Sequence, residues 1–93
     1  MAYHFYILEC AESHFYVGSC ENLEKRFEAH RKGKGAEFTK RFRPARIAYS
    51  ESFCTRAEAM AREAQVKKWS GAKKQALIMG DIELLKPLSK SHD

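Results

Sequence analysis

Residues 3–19 read YHFYILECAESHFYVGS, and this stretch decides how the fold begins. Two runs rich in aromatic and β-branched residues, Tyr3 to Cys10 and His14 to Ser19, flank the short polar segment Ala11-Glu12-Ser13. Two such runs around a short polar loop are typical of a β-hairpin. The sequence therefore predicts two antiparallel strands as the first elements of the chain.

The length of the hairpin loop sets which residues pair across it. A symmetric loop pairs Tyr6 with Gly18 and Leu8 with Tyr16. Tyr6 and Tyr16 are then diagonal neighbours on one face of the sheet, close enough for two long aromatic side chains to share a site. A one-residue bulge in the turn would separate them, because it moves the later side chains to the other face.

A helix is expected after the hairpin. Ser19 or Asn22 can cap its start, and Gly33 ends the helical pattern. Leu23 and Phe27 lie four residues apart, so they form an apolar pair that can pack on the core.

Arg26 and His30 also lie four residues apart and are expected on an adjoining face of this helix. Alone, an arginine is usually a solvated charge, and a tyrosine such as Tyr6 or Tyr16 is usually a core residue with a satisfied hydroxyl. A permanently charged planar guanidinium beside an imidazole and two phenols, however, suits a phosphate oxygen. Together with the later Glu63, the four residues predict a site that cuts a phosphodiester.

A third strand is expected over Arg46 to Phe53, where apolar residues broadly keep a period of two. Thr55 followed by Glu58 is a capping-box pattern, which predicts a helix running to about Trp69.

Glu63 is the candidate carboxylate of the site. Met60, Ala57 and Ala64 are expected on the buried stripe of this helix, and Glu63 lies between Met60 and Lys67 at its margin. The alternative is a surface ion pair between Glu63 and Lys67, which would contribute about 0.2–0.5 kcal/mol.

The last predicted helix begins at Ser70 and packs through Ala76 to Ile78 before Gly80. We expect one domain over residues 1–80 and a C-terminal tail over 81–93 that is partly docked through its leucines. The element order is ββαβαα, an α/β fold in which a small three-stranded sheet is flanked by helices.

Length and composition agree with one domain, because 93 residues with 44% hydrophobic content can build a single core. No apolar run is long enough to span a membrane and no cleavage site follows Met1, so we expect a soluble, cytoplasmic chain. Cys10, Cys20 and Cys54 lack CxxC spacing and are expected to be reduced thiols rather than zinc ligands.

The positive charge is concentrated between residues 25 and 46. This segment has a net charge of +7, whereas the whole chain has +5. Gly33 and Gly35 within it allow backbone amides to approach a phosphate chain closely. The alternative is a solvated loop on a basic protein. The basic residues of the segment 25–46 are Lys25, Arg26, Arg31, Lys32, Lys34, Lys40, Arg41, Arg43 and Arg46.

The order Tyr6, Tyr16-Val17-Gly18, Arg26, His30 and a later helical Glu63 resembles the GIY-YIG nuclease superfamily. That superfamily includes the N-terminal nuclease domain of the excision-repair protein UvrC, certain homing and restriction endonucleases and the Slx-type nucleases. The resemblance covers about residues 3–78 and is closest to the small stand-alone branch, which has an element like the one at residues 33–39. It implies the same α/β core, with the sheet antiparallel or mixed.

Two positions depart from the superfamily pattern. His4-Phe5-Tyr6 stands where the first triplet has glycine, isoleucine and tyrosine, so the glycine is missing. Some members also use an asparagine near the end of the domain. The only asparagine of this chain is Asn22, so that role is unfilled or passes to another residue such as Ser70.

The resemblance implies a mechanism that suits the residues present. Glu63 would hold one divalent cation, Mg²⁺ or Mn²⁺, with waters and substrate oxygens as the other ligands. Arg26 would bind the scissile phosphate. Tyr6 would act as general base, with neighbouring cations favouring its phenolate, while Tyr16 and His30 would orient water and phosphate. The two tyrosines could exchange roles.

The implied function is that of a metal-dependent DNA endonuclease, structure-specific rather than sequence-specific, acting in repair or recombination. RNA is an alternative substrate, and a partner protein could supply specificity. A nucleic-acid-binding module with little or no cleavage, and a protein-interaction domain, are the competing functions. The residues expected to contact nucleic acid are Lys25, Arg31, Lys32, Lys34, Gly35, Thr39, Lys40, Arg41, Arg43 and Lys67.

Overall fold

The structure is a computed structural model that describes residues 2–80, so the expected tail at 81–93 lies outside the described residues. Three strands and four α-helices are present in this part of the chain. In chain order they are β1 (Tyr3–Cys10), β2 (His14–Cys20), α1 (Leu23–Arg31), α2 (Glu37–Arg41), β3 (Pro44–Phe53), α3 (Arg56–Lys67) and α4 (Gly71–Met79).

The predicted hairpin and its register are confirmed. Tyr6 pairs with Gly18 and Leu8 with Tyr16, in an antiparallel ladder without a bulge. The connection is a single 3-10 turn over Ala11–Ser13, and Glu12 in it has a positive φ of 59°. This tight turn preserves the symmetric register, so both tyrosines stay on one face of the sheet.

The sheet has the order β2-β1-β3 and is antiparallel throughout, which confirms the expected α/β architecture. β3 begins at Pro44, two residues before the predicted start. Since β1 is central, it is bonded on both edges, whereas β2 forms one edge of the sheet.

The two faces of the sheet carry two separate cores, because successive side chains of β1 point in opposite directions. Phe5 and Ile7 pack with residues of β2, α3 and α4. Tyr6 and Leu8 lie on the other face, under α1 and α2. The site tyrosine Tyr6 is therefore itself a core residue, only 1% exposed.

The helix α1 follows the prediction. The Asn22 side chain accepts a hydrogen bond from the backbone N–H of Lys25 at 3.0 Å and caps the helix. Gly33 follows its end with a φ of 76°, a conformation that a glycine adopts without strain. The five-residue helix α2 is an addition to the predicted order ββαβαα, which has no element between α1 and β3.

The helix α3 begins with the predicted capping box of Thr55 and Glu58. Its predicted buried stripe is wrong, because Ala57, Ala64 and Met60 are exposed, Met60 by 51%. Ala59 and Val66 are the residues that pack on the sheet. Ala59 and Val66 lie seven residues apart and therefore share one face of the helix, whereas Met60 lies on a different face.

The helix α4 also agrees with its prediction. The Ser70 hydroxyl accepts a hydrogen bond from the backbone N–H of Lys73 at 3.2 Å, and Ala76 and Leu77 are buried. Gly80 ends the helix with a φ of 71°. None of the helices within residues 2–80 combines the length and the apolar character needed to cross a membrane.

Candidate active site

Tyr6 and Tyr16 lie side by side, as the hairpin register predicts. Their ring centroids are 6.4 Å apart. Gly18 makes this arrangement possible, because a Cβ at that position would overlap the Tyr6 hydroxyl and lie 2.6 Å from the Tyr6 Cζ. The glycine of the Tyr16-Val17-Gly18 triplet thus provides the space in which the Tyr6 phenol ends.

The Tyr6 hydroxyl begins a chain of hydrogen bonds that runs through the buried His30. It lies 3.0 Å from His30 Nε2, and His30 Nδ1 lies 2.7 Å from the Thr39 hydroxyl. The Thr39 hydroxyl in turn donates to the Ala36 carbonyl at 2.9 Å. Since Thr39 uses its only proton on Ala36, it accepts the Nδ1 proton of His30. His30 Nε2 then has a free lone pair, which accepts the Tyr6 proton.

His30 is held in its neutral form. It is 2% exposed, and burial lowers its pKa below the ordinary value of 6.5, with the nearby Arg26 guanidinium acting in the same direction. Gly35 packs directly on the imidazole, where a Cβ would overlap Nδ1 and lie 2.6 Å from Cε1. Gly35 in the α1–α2 connection therefore fixes the position of this ring, and Thr39 of α2 fixes its tautomer.

Burial raises the pKa of the Tyr6 phenol well above its ordinary value of 10.0, and the neighbouring Tyr16 contributes in the same direction. Arg26 opposes this shift but does not outweigh it. The expectation that neighbouring cations favour a resting phenolate is therefore corrected. Tyr6 is a neutral phenol that donates to His30, because desolvation of the phenolate is the larger effect.

Arg26 lies on the exposed side of this cluster. Its side chain forms no salt bridge with a carboxylate of the described residues. With Ser19 and Lys25 it lines a pocket of about 480 Å³. Tyr16 is half-buried, and its ring centroid lies 5.0 Å from that of His30. A phosphate in the pocket would thus meet an uncompensated guanidinium.

Glu63 reaches the edge strand β2 from α3. Its Oε1 accepts a hydrogen bond from the Ser19 hydroxyl at 2.7 Å, and Ser19 lines the same pocket as Arg26. Glu63 Oε2 also lies 3.6 Å from Lys67 Nζ, so the predicted ion pair exists. The Glu63 side chain is 24% exposed. Glu63 is therefore an ion-pair member, and its hydrogen bond to Ser19 connects it to a residue that lines the pocket.

The residues expected to contact nucleic acid differ in their surroundings. Thr39 is fully buried and holds His30, so it is not available to an external ligand. Gly35 packs on His30 as described. Exposed positions are occupied by Lys25, Arg31, Lys32, Lys34, Lys40, Arg41, Arg43 and Lys67.

Several of these exposed charges already have a partner. Arg31 and Lys40 pair with Glu28 and Glu37 at 3.0 Å, and Arg43 donates to the Arg31 carbonyl at 2.7 Å. Among residues 2–80, Lys25, Lys32, Lys34 and Arg41 form no salt bridge. These four remain the cations most available to a phosphate chain.

The donors around Glu63 fit a hard cation that keeps most of its waters. Within residues 2–80 no three His, Cys, Asp or Glu side chains are grouped as a metal cage. Magnesium does not need one, since one or two carboxylates plus waters and substrate phosphates are its usual ligands. The Glu63 carboxylate beside the Ser19 hydroxyl supplies oxygen ligands of that kind. Zinc, which prefers several nitrogen or sulfur ligands, does not fit.

Comparison with known families explains this constellation. A family model described as the GIY-YIG catalytic domain matches residues 2–76. The chain belongs to the GIY-YIG family. Similar GIY-YIG relatives include a UPF0213 protein of Bacillus pumilus, 37% identical over 97% of this chain and 91% of its own. Another, in Halobacterium salinarum, is 36% identical over 82% of this chain and 99% of its own.

Solved structures agree with the GIY-YIG fold described above. The solution structure of a UPF0213 protein of Bacillus halodurans is similar with a TM-score of 0.55, at 34% identity over 87% of this chain and 86% of that one. A second solution structure, of a protein of E. faecalis, has a TM-score of 0.55 at 30% identity, covering 99% of this chain and 88% of that one.

Two departures from the superfamily pattern can now be placed on this GIY-YIG domain. His4 replaces the glycine and Phe5 the isoleucine of the first triplet, and Phe5 fills the core opposite the site. Asn22, the only asparagine, caps α1, and Ser70, the candidate for the missing role, caps α4.

Thr39, predicted to contact nucleic acid, and Ser19, a candidate helix cap, have different roles in the structure. Thr39 positions His30, and Ser19 connects Glu63 to β2. Their signal in the sequence is weak, because a threonine or serine near charged residues is equally typical of a surface loop or a helix cap.

Proposed function

We propose that this GIY-YIG protein is a divalent-metal-dependent endonuclease that hydrolyses phosphodiester bonds of DNA. The observation that carries the proposal is the hydrogen bond from the Tyr6 hydroxyl to the neutral His30, with Thr39 holding the other side of the ring. A buried phenol that can pass its own proton to a neighbouring acceptor can act as a general base. His30 Nε2 has a free lone pair, so it can take the Tyr6 proton when the phenol accepts a proton from water.

The proton transfers follow from this arrangement. As a water molecule attacks the phosphorus, its proton moves to the Tyr6 oxygen while the Tyr6 proton moves to His30 Nε2. The new oxygen–phosphorus bond forms as the bond to the leaving oxygen breaks, and that oxygen takes a proton from solvent. Because His30 receives the proton, Tyr6 never has to exist as a resting phenolate, which its raised pKa disfavours.

Arg26 would bind the scissile phosphate. Its guanidinium has no carboxylate partner among the described residues and lies close enough to lower the pKa values of Tyr6 and His30. A charge placed there stabilises the negative charge that develops on the phosphoryl oxygens. Tyr16, half-buried beside His30, would orient the water or the phosphate.

Glu63 would hold one Mg²⁺ or Mn²⁺ ion, assisted by Ser19. When bound, such an ion supplies Lewis-acid stabilisation of the phosphoryl oxygens. The Lys67 ammonium is displaced from Glu63 at little cost, because an exposed ion pair contributes only about 0.2–1 kcal/mol.

The basic surface would supply affinity rather than sequence readout. Lys25, Lys32, Lys34 and Arg41 can contact phosphates, and phosphate contacts carry no sequence information by themselves. We therefore propose low sequence specificity, recognition of DNA structure, and a role in repair or recombination. RNA is an alternative substrate, and a partner protein could supply specificity. The three free thiols agree with the reducing cytoplasm as the place of action.

A second candidate is a nucleic-acid-binding module that does not cut, and the existing Glu63–Lys67 ion pair favours it. The deciding experiment incubates the pure protein with duplex, single-stranded, flap and branched DNA plus Mg²⁺ or Mn²⁺. The proposed endonuclease cuts at least one of them, and the Glu63→Gln variant does not. Salt-dependent binding without cutting of any substrate, even after addition of cell extract, would establish the binding module instead.

A further inference from the structure

The pocket beside Arg26 extends away from the proposed catalytic residues. Lys25 and Arg26 of α1 line one side, and Arg56 and Met60 of α3 line the other, with Tyr3 at the start of β1. Its volume of about 480 Å³ is within the range of about 300–1,000 Å³ that ligand pockets span. One scissile phosphate on Arg26 leaves most of this space unfilled.

The charges of the pocket converge from two helices. Lys25, Arg26 and Arg56 contrast with the single acidic residue Glu21 on its wall, and none of the three forms a salt bridge within residues 2–80. Arg56 is the first residue of α3, where the helix dipole disfavours a positive charge. Stability of the helix therefore does not explain an arginine at this position, whereas an anionic ligand does.

The pocket also has an apolar part. Met60 is 51% exposed, and within the described residues only Met79 is another exposed large hydrophobic side chain. Tyr3, half-buried, lies on the same pocket. A thioether and a phenol ring next to unpaired cations match a nucleotide, whose flat base and phosphate need these two kinds of contact.

We propose that this pocket binds one unpaired nucleotide next to the scissile phosphate. The base packs on Met60 and Tyr3, and the flanking phosphate binds Arg56. The inference rests on the proposed function in one respect, that Arg26 binds the scissile phosphate. A stacked and paired base cannot enter a pocket, so the preferred substrates have an unpaired nucleotide at the cut, as in flaps, loops and frayed nicks.

Nucleotide binding can be tested without metal and without cleavage. Thymidine 3′,5′-bisphosphate is titrated into the full chain while NMR follows the Met60 methyl and the amides of Cys20 and Ala59. These signals are expected to shift with a common dissociation constant. Arg56→Gln should weaken binding at least fivefold and Met60→Ala at least threefold.

Two matched variants control for charge and for exposed apolar surface. Lys68→Gln removes one positive charge just after α3, and Met79→Ala removes the other exposed methionine; neither residue lines the pocket. Both should bind the nucleotide within twofold of wild type. Equal affinities of the Arg56 and Lys68 variants, or unshifted Met60 signals at millimolar nucleotide, would overturn the pocket.

Cleavage kinetics provide a second, independent test of the pocket. The value of kcat/KM should be at least tenfold higher for a duplex with one unpaired nucleotide at the cut than for the fully paired duplex. Met60→Ala should reduce this ratio at least threefold. A ratio of one in wild type would overturn the inference and leave the endonuclease standing. If no substrate is cut, the endonuclease fails, and the nucleotide titration still decides whether the pocket exists.

Discussion

The Tyr6 hydroxyl lies 3.0 Å from His30 Nε2, although 24 residues separate the two in the chain. The imidazole comes from α1, and the phenol from the central strand beneath it. Since Thr39 occupies His30 Nδ1, the free lone pair of Nε2 points at the Tyr6 proton. Activity, pH dependence and stability should therefore all respond to changes at this contact.

Tyr6→Phe should reduce turnover by about a hundredfold or more, the scale of a lost general base. DNA affinity should not change, because the substitution removes no charge. Unfolding should become easier by about 1–3 kcal/mol, since His30 Nε2 is left buried without a partner. Tyr49→Phe is the matched control, because its hydroxyl also donates to a part-buried side chain, Glu51, but on the other face of the sheet.

The control should lose a comparable amount of stability and retain full turnover. Cleavage kinetics and urea unfolding of both variants provide the measurement. If the two variants lose turnover equally, the Tyr6 hydroxyl acts only through the fold.

The rate of cutting should depend on His30 being neutral. Because the His30 pKa is lowered, the rate should stay constant as pH falls through 6.5 and decline only below the lowered pKa, by about tenfold per pH unit. The free energy of unfolding should also decrease as pH falls. The unfolded chain binds the proton more readily, so the folded state loses stability as pH falls below 6.5, until the folded-state pKa is passed.

A single-turnover pH profile and an NMR titration of the His30 ring check this prediction. A rate that already halves at pH 6.5 would contradict a lowered pKa at this residue.

Glu63→Gln should abolish metal-stimulated cutting while leaving the fold intact, because the amide keeps the acceptor for Ser19 but loses the charge that holds the cation. Lys67→Met is the matched variant, since it breaks the same ion pair and keeps the carboxylate. It should retain cutting and bind Mg²⁺ at least as well as wild type. Equal loss in both variants would assign the effect to the ion pair.

The basic surface should control binding rather than chemistry. Replacing Lys32, Lys34 and Arg41 together by glutamine should weaken DNA binding on every sequence and flatten the salt dependence by up to about three units, about one per lost phosphate contact. These three residues are chosen because none forms a salt bridge within the described chain. An unchanged salt dependence of the DNA affinity, measured by fluorescence anisotropy titrations, would show that DNA binds to another surface of the protein.

Gly35→Ala should destabilise the protein by about 1–3 kcal/mol, the usual cost of overpacking, because the new methyl group overlaps the buried His30 ring. Gly71→Ala is the control, since a Cβ there meets no described atom within 4 Å. Its stability should lie within about 1 kcal/mol of wild type. Equal melting temperatures of the two variants would show that the α1–α2 connection yields easily.

The sequence was most informative about local geometry. The hairpin register follows from loop length, and the caps at Asn22, Thr55 and Ser70 follow from hydrogen bonds between near neighbours. Such features depend on residues within a few positions of each other, which a single sequence displays directly. The tyrosine pair was predictable for the same reason, since a register places both side chains.

Features that depend on contacts between distant elements were less predictable. The buried face of α3 is hard to predict because alanines are compatible with either face. Met60 is more apolar than Ala59, yet Ala59 is the residue that packs on the sheet. The helix α2 has five residues, too few to show a period. Thr39 is predicted to contact nucleic acid because it lies in the basic segment, and its actual partner, His30, lies on another helix.

The alternation of side chains along β1 affects how the molecule can unfold. Tyr6 stands between Phe5 and Ile7, which belong to the core on the opposite face, and the strand is bonded along both edges. An opening around Tyr6 must therefore disrupt both cores at once. A half-denatured preparation is then a mixture of intact and unfolded molecules, not a uniform population of loosened ones.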